Sequence, residues 1–413
     1  MPAITLRSGA QPAGDGVPPL RGGETLGAPD FTLLRKHAPY LAGVRPHRKG
    51  GVRLALEEPL ATARGTKFLI HNYGHSGAGI TLSWGCAAKV REHVATVIDR
   101  MCGSKVRASV AVLGCGVSGL TVAHELRRQW PHLPVTMYAK SLDVTTTTSF
   151  IAGGQFEPSQ VWREYTDPGK KPVLEDLLRR SAARIREIEN SGKMRHYGIV
   201  WRKNYTLDVP NPAFDDYTPR DVVPAFRRGK LPFEKFDVVG REYSTWLIDP
   251  TILLPRLIAD LRRHGVRFRT RLFESEQQVH GLAENIVINC TGYGAKKLFA
   301  DDGLLAHRGH LVVLRNPARL KYLFSGGCTN DVISYVFARR NDIVVGGTLM
   351  NDDRDAFDPT DGKDAAICEV LRKNAQEVFA GRPEACTRPL DTVEHDPEKW
   401  VPVFGKDHAQ TIR

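Results

Sequence analysis

A run of about 18 apolar residues, the length a helix needs to cross a bilayer, occurs nowhere in the 413-residue chain. The opening stretch MPAITLRSGAQPAGDGVPP also lacks the charged-then-apolar order of a secretory leader. These absences exclude a membrane span, and we expect an unexported, cytoplasmic chain. Cysteine is scarce and odd in number: Cys86, Cys102, Cys115, Cys290, Cys328, Cys368 and Cys386 include no C-x-x-C pair, which argues against a disulfide framework or a zinc site. No S-K-L address ends the sequence, so a peroxisomal location is not expected. Acidic residues fall short of basic ones, 46 against 58, for a formal charge of +12. The Lys and Arg are nevertheless spread along the chain and interleaved with acids, and only RPHRK (45–49) stands out. Nucleic acid is therefore not an expected partner, and the excess reads as a general attraction for anionic cofactors or substrates.

What is present is ordinary for a globular protein, with 41% hydrophobic and 25% charged residues. At roughly 150 residues per domain, two or three domains are expected, enough to enclose a ligand. Residues 1–28, rich in Gly, Pro and Ala without an apolar period, are expected to form a flexible arm, and 385–413 an irregular tail. Between them, VRASVAVLGCGVSGLTVAHELRRQ (106–129) reads as a strand, a glycine turn and a helix, and VTMYAK (135–140) as a second strand. In 248–273, Asp249 suits an N-cap, Pro250 the first helical position and Gly265 the helix end, while Pro255 inside it is expected to kink the helix. NIVINC (285–290) has the composition of a parallel strand buried on both faces. HLVVL (310–314) and the hairpin within 331–348 look antiparallel, and 365–381 looks like an amphipathic helix. A parallel α/β layer mixed with an antiparallel sheet implies two interleaved domains.

Gly114, Gly116 and Gly119 in GCGVSG satisfy G-x-G-x-x-G between a strand and a helix, the context in which that pattern binds a dinucleotide. The first glycine makes a tight turn, the second lets backbone approach a pyrophosphate, and the third lets helix and strand pack. Lys140 stands where an acid usually meets the ribose, with Asp143 three residues on. TTTTS (145–149) follows, with hydroxyls and amides able to reach the same pyrophosphate or to form a solvated turn. HNYGHSGAGITLSWG (71–85) holds four glycines and leads into an expected helix from Leu82 to Ile98, a loop that lets backbone approach a planar ligand. His71 and His75 lack Cys or carboxylate partners in sequence, and no metal is expected.

Together these segments resemble the D-amino-acid oxidase family of FAD flavoproteins, over most of residues 29–385. VAVLGCGVSGL is similar to that family's FAD motif, TTTTSFIAGGQFEP to its threonine-rich loop, NIVINCTGYGA to its V-N-C-T-G strand and RGHLVVL to its R-G-Q strand. GVRPHRKGGVRL (43–54) and HNYGHSGAGITLSWGC are similar to two motifs that close the chain in that family, yet here they precede the dinucleotide strand. The expected fold is therefore a Rossmann-like FAD-binding domain interleaved with an antiparallel-sheet α+β substrate domain, of D-amino-acid oxidase type and circularly permuted. The implied division gives 46–160 and 243–302 to the FAD domain, and 29–45, 161–242 and 303–384 to the substrate domain.

The resemblance implies FAD held by Gly114, Gly116, Val117, Ser118 and Gly119, by Thr146, Thr147, Thr148, Ser149 and Gly153, by Thr291 and Gly292, and by Gly77, Ala78, Gly79, Ile80 and Thr81. Arg45 falls on an arginine that pairs with an amino acid's α-carboxylate, Tyr335 on a tyrosine whose hydroxyl shares that task, and Gly77 on a carbonyl facing the amine. Asp331 replaces a second tyrosine, and an acid there selects a basic side chain or faces solvent. The implied activity is FAD-dependent oxidation of D-amino acids or related amines, with dioxygen as acceptor and peroxide as product. A biosynthetic amine dehydrogenase or oxidase with another acceptor, and a non-catalytic flavoprotein, are the alternatives. A homodimer is left open.

Overall fold

The computed structural model describes residues 17–103, 106–235, 237–326, 332–352, 354 and 362–382. Asp331 and the expected tail, 385–413, lie outside them. The first elements in the chain are strands β1 (Tyr40–Arg48), β2 (Arg53–Leu56), β3 (Leu60–Thr62) and β4 (Gly65–Tyr73), followed by helix α1 (Gly79–Arg100). Then come β5 (Val110–Leu113), α2 (Val117–Gln129), β6 (Val135–Ala139), α3 (Lys171–Asn190), β7 (Ile199–Leu207), α4 (Pro212–Asp215), β8 (Arg227–Lys230) and β9 (Val239–Ile248). The chain continues through α5 (Pro250–Arg263), β10 (Arg267–Thr270), α6 (Glu276–His280), β11 (Ile286–Asn289), α7 (Ala295–Leu298) and β12 (Leu304–Arg315). It ends with β13 (Tyr322–Gly326), β14 (Val332–Ala338), β15 (Asp342–Thr348), β16 (Met350–Asn351) and α8 (Lys363–Phe379).

These strands make two sheets. The seven-stranded sheet runs β10-β6-β5-β11-β4-β2, with β3 also on β4. β10, β6, β5, β11 and β4 are parallel, and β5 sits among them with all four residues buried, as a strand covered on both faces requires. The nine-stranded sheet runs β1-β12-β15-β14-β13-β7-β9-β8, with β16 on β12, and is antiparallel except where β7 meets β13. One of its faces packs against α8 through Cys368, Leu371, Ala375 and Val378. The opposite face carries Leu311, Leu323, Phe337 and Val344.

Helix α1 is three residues longer at its start and two at its end than expected, because its buried stripe Leu82, Cys86, Val90, Val94 and Val97 keeps helical spacing throughout. It packs between α2 and α3. Gly85 makes the second contact possible: a Cβ there would run into the carbonyl oxygen of Leu177, and the Gly85 amide donates to Ser181 Oγ at 2.8 Å. Helix α5 starts as its sequence directs, with Asp249 Oδ1 accepting the Thr251 amide at 3.0 Å, and it remains helical through Pro255.

Three segments differ from the expected division. β9 belongs wholly to the antiparallel sheet, so a boundary at 243 cuts a strand whose hydrogen bonds to β7 run on to Ile248. Helix α3, assigned with 161–242, contributes Leu174, Leu177, Ala182 and Ile185 to the core shared with α1 and α2. Residues 17–28, expected as part of an arm, lie along β8 instead, with Leu20 buried and the Leu26 amide donating to the Pro232 carbonyl at 2.6 Å. Among the described residues no helix is long and apolar enough to cross a membrane.

Gly85→Ala should destabilise the protein by about 1–3 kcal/mol, because backbone on two helices must part to admit one methyl group. Urea unfolding of the variant would show this as a lower midpoint with an unchanged slope.

Candidate active site

The three glycines of the β5–α2 turn are required by different neighbours. A Cβ on Gly114, whose φ is +105°, would meet the Cys290 carbonyl at the end of β11, and one on Gly119 would meet the Gly114 carbonyl. Both are fixed by the packing of the protein itself. At Gly116 the φ is −73°, and the nearest atom to a Cβ is Ser149 Oγ, the end of a small side chain, at 3.2 Å. Among the described residues only that small side-chain end crowds the position, so glycine there leaves room beside the start of a helix that no side chain of its own N-cap closes. Val117 donates its amide to Ser149 Oγ at 3.0 Å, which joins the glycine turn to the threonine-rich loop, and Ser118 lies half-buried in the same first turn.

A second helix start converges on the first. Helix α1 begins at Gly79 without a side-chain cap, directly after Gly77 (φ +87°), and a Cβ on Gly79 would lie 3.8 Å from Val117 Cγ1. Ala78 and Ile80 are buried beside it. The starts of two helices thus lie side by side, with the Val117 amide taken by Ser149, an arrangement suited to an anionic ligand with a planar end. These residues fit FAD: Gly116 would leave room for its pyrophosphate, and the start of α1 would offer donors to a flavin edge.

Several hydroxyls expected to touch that ligand are engaged elsewhere. Thr81 Oγ1 donates to the Glu157 carbonyl at 2.9 Å and accepts the Glu157 amide at 3.1 Å, so only its place at the helix start remains for the flavin. Thr146 and Thr147 donate to the carbonyls of Asp143 and Val144, and Thr148 donates to the Val44 carbonyl at 2.9 Å. These threonines pin the loop rather than reaching outward as donors. Asp143, which followed the missing ribose acid in sequence, caps the same turn, and hydrogen bonds from the Thr145 hydroxyl and amide hold its carboxyl below the ordinary range. Lys140 is exposed just past β6. Thr291 turns back onto Asn289 Oδ1 through its amide (3.1 Å) and hydroxyl (2.7 Å), next to Gly292 (φ +61°). Asn289 in turn meets His71 Nδ1 at 3.0 Å, and His75 meets Asn72 Oδ1 at 3.1 Å, so both histidines are satisfied within the core.

Arg45 and Tyr335 come together across the antiparallel sheet although they lie on strands far apart in sequence. Arg45, on β1, donates from Nη1 to the Thr348 carbonyl at 2.6 Å. Its guanidinium lies over Gly309, where any Cβ would collide with it, and a Cβ on Gly77 would lie 2.9 Å from Arg45 Cδ. Gly346 lies opposite Tyr335, whose hydroxyl comes within 2.5 Å of where a Cβ on Gly346 would stand. Phe337 stacks on the Tyr335 ring at 4.4 Å, and Gly153 packs against both rings. Burial raises the Tyr335 pKa, and the nearby Arg45 charge opposes that rise. The result is a cation and a hydroxyl over a floor of glycines, beside the Gly77 loop and the start of α1.

Behind Arg45 lies a buried relay that the sequence did not single out. Thr348 Oγ1 accepts the His310 amide at 3.1 Å and meets His310 Nδ1 at 2.7 Å, while His310 Nε2 meets Asp364 Oδ1 at 3.0 Å. Asp364 also accepts from Arg308 Nη2 at 2.5 Å, and all three of these side chains are fully buried. With a carboxylate on Nε2, the neutral ring carries its proton there, so the Thr348 hydroxyl donates to Nδ1. Burial lowers the His310 pKa, against the pull of Asp364. The relay holds the residue whose carbonyl positions Arg45. Its one visible sign in sequence was the His in RGH where the resembling family has Gln.

The family model described as FAD dependent oxidoreductase matches residues 109–411, well over half of the chain. The chain belongs to that family. FAD is the family's cofactor, and the chain is an FAD-dependent oxidoreductase. Curated relatives similar to this flavoenzyme include D-aspartate oxidase of Homo sapiens, 25% identical over 251 residues, or 60% of this chain and 70% of the relative. D-amino-acid oxidase of Streptomyces coelicolor is 30% identical over 260 residues, 59% of this chain and 70% of the relative. Among solved structures, glycine oxidase from Geobacillus kaustophilus aligns with a TM-score of 0.44 at 17% identity, covering 60% of this flavoenzyme and 74% of that chain.

Gly116→Val should yield a folded protein that purifies colourless and stays so after incubation with FAD, because the added side chain fills only the space left for the ligand. Gly119→Val, which collides with backbone, should lose folded yield instead. Circular dichroism and the flavin absorbance of the two purified variants separate these outcomes.

Proposed function

We propose that the protein is an oxidase of D-amino acids or related amines, which removes the α-hydrogen with its electron pair and a proton from nitrogen to leave an imine. The observation that carries this reading is the meeting of Arg45 and Tyr335 over Gly309, Gly346 and Gly347, beside the first turn of α1. Bound FAD supplies the two-electron oxidant. Arg45 keeps one nitrogen on the Thr348 carbonyl and presents the rest of its planar fork to the α-carboxylate, which Tyr335 meets with its hydroxyl. The Gly77 carbonyl accepts from the substrate amine, and the two contacts together orient the α-C–H bond. The amine enters neutral, so no side-chain base is assigned. Water then converts the imine to a keto acid and ammonia, and dioxygen is the electron acceptor, giving peroxide.

The order of the motifs is read as a circular permutation. β4 lies in parallel register beside β11, α1 lies alongside α2, and 101–109 joins α1 directly to β5. In support, the family match begins at residue 109, immediately before β5.

Peroxide formation and oxygen uptake across D- and L-amino acids and simple amines test the activity directly. Arg45→Ala should retain FAD yet lose at least about ten- to hundredfold in kcat/KM on carboxylate substrates, since a hydrogen bond to a charged group contributes about 1.5–3 kcal/mol. Lysine at that position should restore only part of the loss, because a point charge cannot reproduce the fork. Full activity of Arg45→Ala would overturn the proposed substrate orientation. His310→Ala should raise KM by roughly tenfold with a smaller change in kcat, since it loosens the support of Arg45 without touching substrate; an unchanged KM would remove the relay from substrate binding.

A further inference from the structure

Residues 153–159 run along the proposed substrate space from one side to the other. Gly153 packs on the Tyr335 ring, and a Cβ on Gly77 would lie 3.7 Å from Ser159 Oγ. Midway, the backbone of Glu157 is clamped by the Thr81 hydroxyl at the start of α1. The Glu157 carboxylate turns toward β9 and α4, where its partners are neutral: Gln155 Nε2 at 3.1 Å, the Tyr243 hydroxyl at 3.4 Å and Asn211 Nδ2 at 3.5 Å. Among the described residues no Lys or Arg forms an ion pair with it. The nearby Asp215 is taken up by Arg241 at 3.0 Å, and its negative charge disfavours ionisation of Glu157. The carboxylate connects back to the anchor: Gln155 Oε1 accepts from Ser325 Oγ at 3.3 Å, and Ser325 lies directly opposite Tyr335 on the neighbouring strand. Asn204, opposite Tyr243 and fully buried, shares the same Ser325 hydroxyl at 3.2 Å and also hydrogen-bonds Tyr243 through its side chain.

A carboxylate held only by neutral partners, and linked through Gln155 and Ser325 to the strand opposite Tyr335, is an acid without its counter-charge. We propose that Glu157 is the specificity residue of this pocket and receives a cationic group at the far end of the substrate, so that the preferred substrates are D-amino acids with an amino or guanidino side chain. This rests on the reading of Arg45 as the carboxylate anchor. The ligand's positive charge supplies the partner that the chain withholds. Burial, with a smaller contribution from Asp215, pushes the Glu157 pKa up to about 7, against hydrogen bonds from Asn211 and Tyr243. In the empty site the acid therefore holds its proton below pH 7. A cationic side chain binds the ionised form, so its affinity relative to that of a neutral side chain should climb as pH rises toward about 7 and level off above.

The FAD-loaded protein would be titrated with D-lysine and with D-norleucine, which has the same chain length but no side-chain charge, following oxygen uptake and flavin absorbance. The expected result is a kcat/KM for D-lysine at least about tenfold above that for D-norleucine at pH 7.5, with a smaller ratio at pH 6. In Glu157→Gln, the ratio of the two kcat/KM values should fall about tenfold or more and the pH dependence specific to D-lysine should vanish. A wild-type protein that favours D-norleucine, or a variant that slows both substrates in proportion, overturns the assignment of Glu157 and leaves the Arg45 reading standing. Silence toward both amino acids, in turnover and in flavin absorbance, overturns both.

Discussion

The site depends on one steric condition, that a guanidinium and a phenol lie flat against a sheet. Side chains on a pleated surface normally stand off from their neighbours. Here the neighbours of Arg45 and Tyr335 on that face are Gly309 and Gly346, and no larger residue fits under either group. With no Cβ beneath it, the Arg45 side chain reaches across to the Thr348 carbonyl on the far side of β12. The buried His310 and Asp364 then act on Arg45 through backbone alone, and among the described residues no carboxylate pairs with the guanidinium.

The same logic of removed side chains governs the cofactor end. Gly85 brings α3 against α1 and Gly119 brings α2 against the β5 turn, while the start of α1 lies beside Val117. Each contact is local, but together they set two helix first turns side by side. Anion attraction at a single helix start is modest, about 0.3–1 kcal/mol where exposed, and two starts side by side add their attraction.

Legibility in the sequence followed the range of each constraint. The G-x-G-x-x-G turn, the Asp249 cap and the apolar stripe of α1 are local, and each was readable from neighbouring residues, the stripe falling short only at the helix ends. Arg45 and Tyr335 are 290 positions apart, and no pattern within either segment links them; only the resemblance to a known family placed them together. The threonines of 145–149 show the opposite limit. Sequence reveals that a hydroxyl exists but not which carbonyl it meets, and here most meet their own loop. Glu157 was passed over for a related reason. Its one visible sign was an acid alone within the otherwise uncharged GGQFEP, and its neutral surroundings come from α4, β9 and the 155–157 segment folding onto each other.

The segment that runs beside β8 has a further consequence, for how this molecule behaves among copies of itself. A nine-stranded sheet that ended at β8 would expose a row of amides and carbonyls able to recruit any extended chain. Pro18 accepts the Lys230 amide at 3.0 Å, and Pro19 pairs beside it. As prolines, neither has an N–H to offer outward, so the ladder stops where they lie. The sheet is thus terminated by residues that accept a hydrogen bond from within and donate none to the outside, a local safeguard against edge-to-edge aggregation.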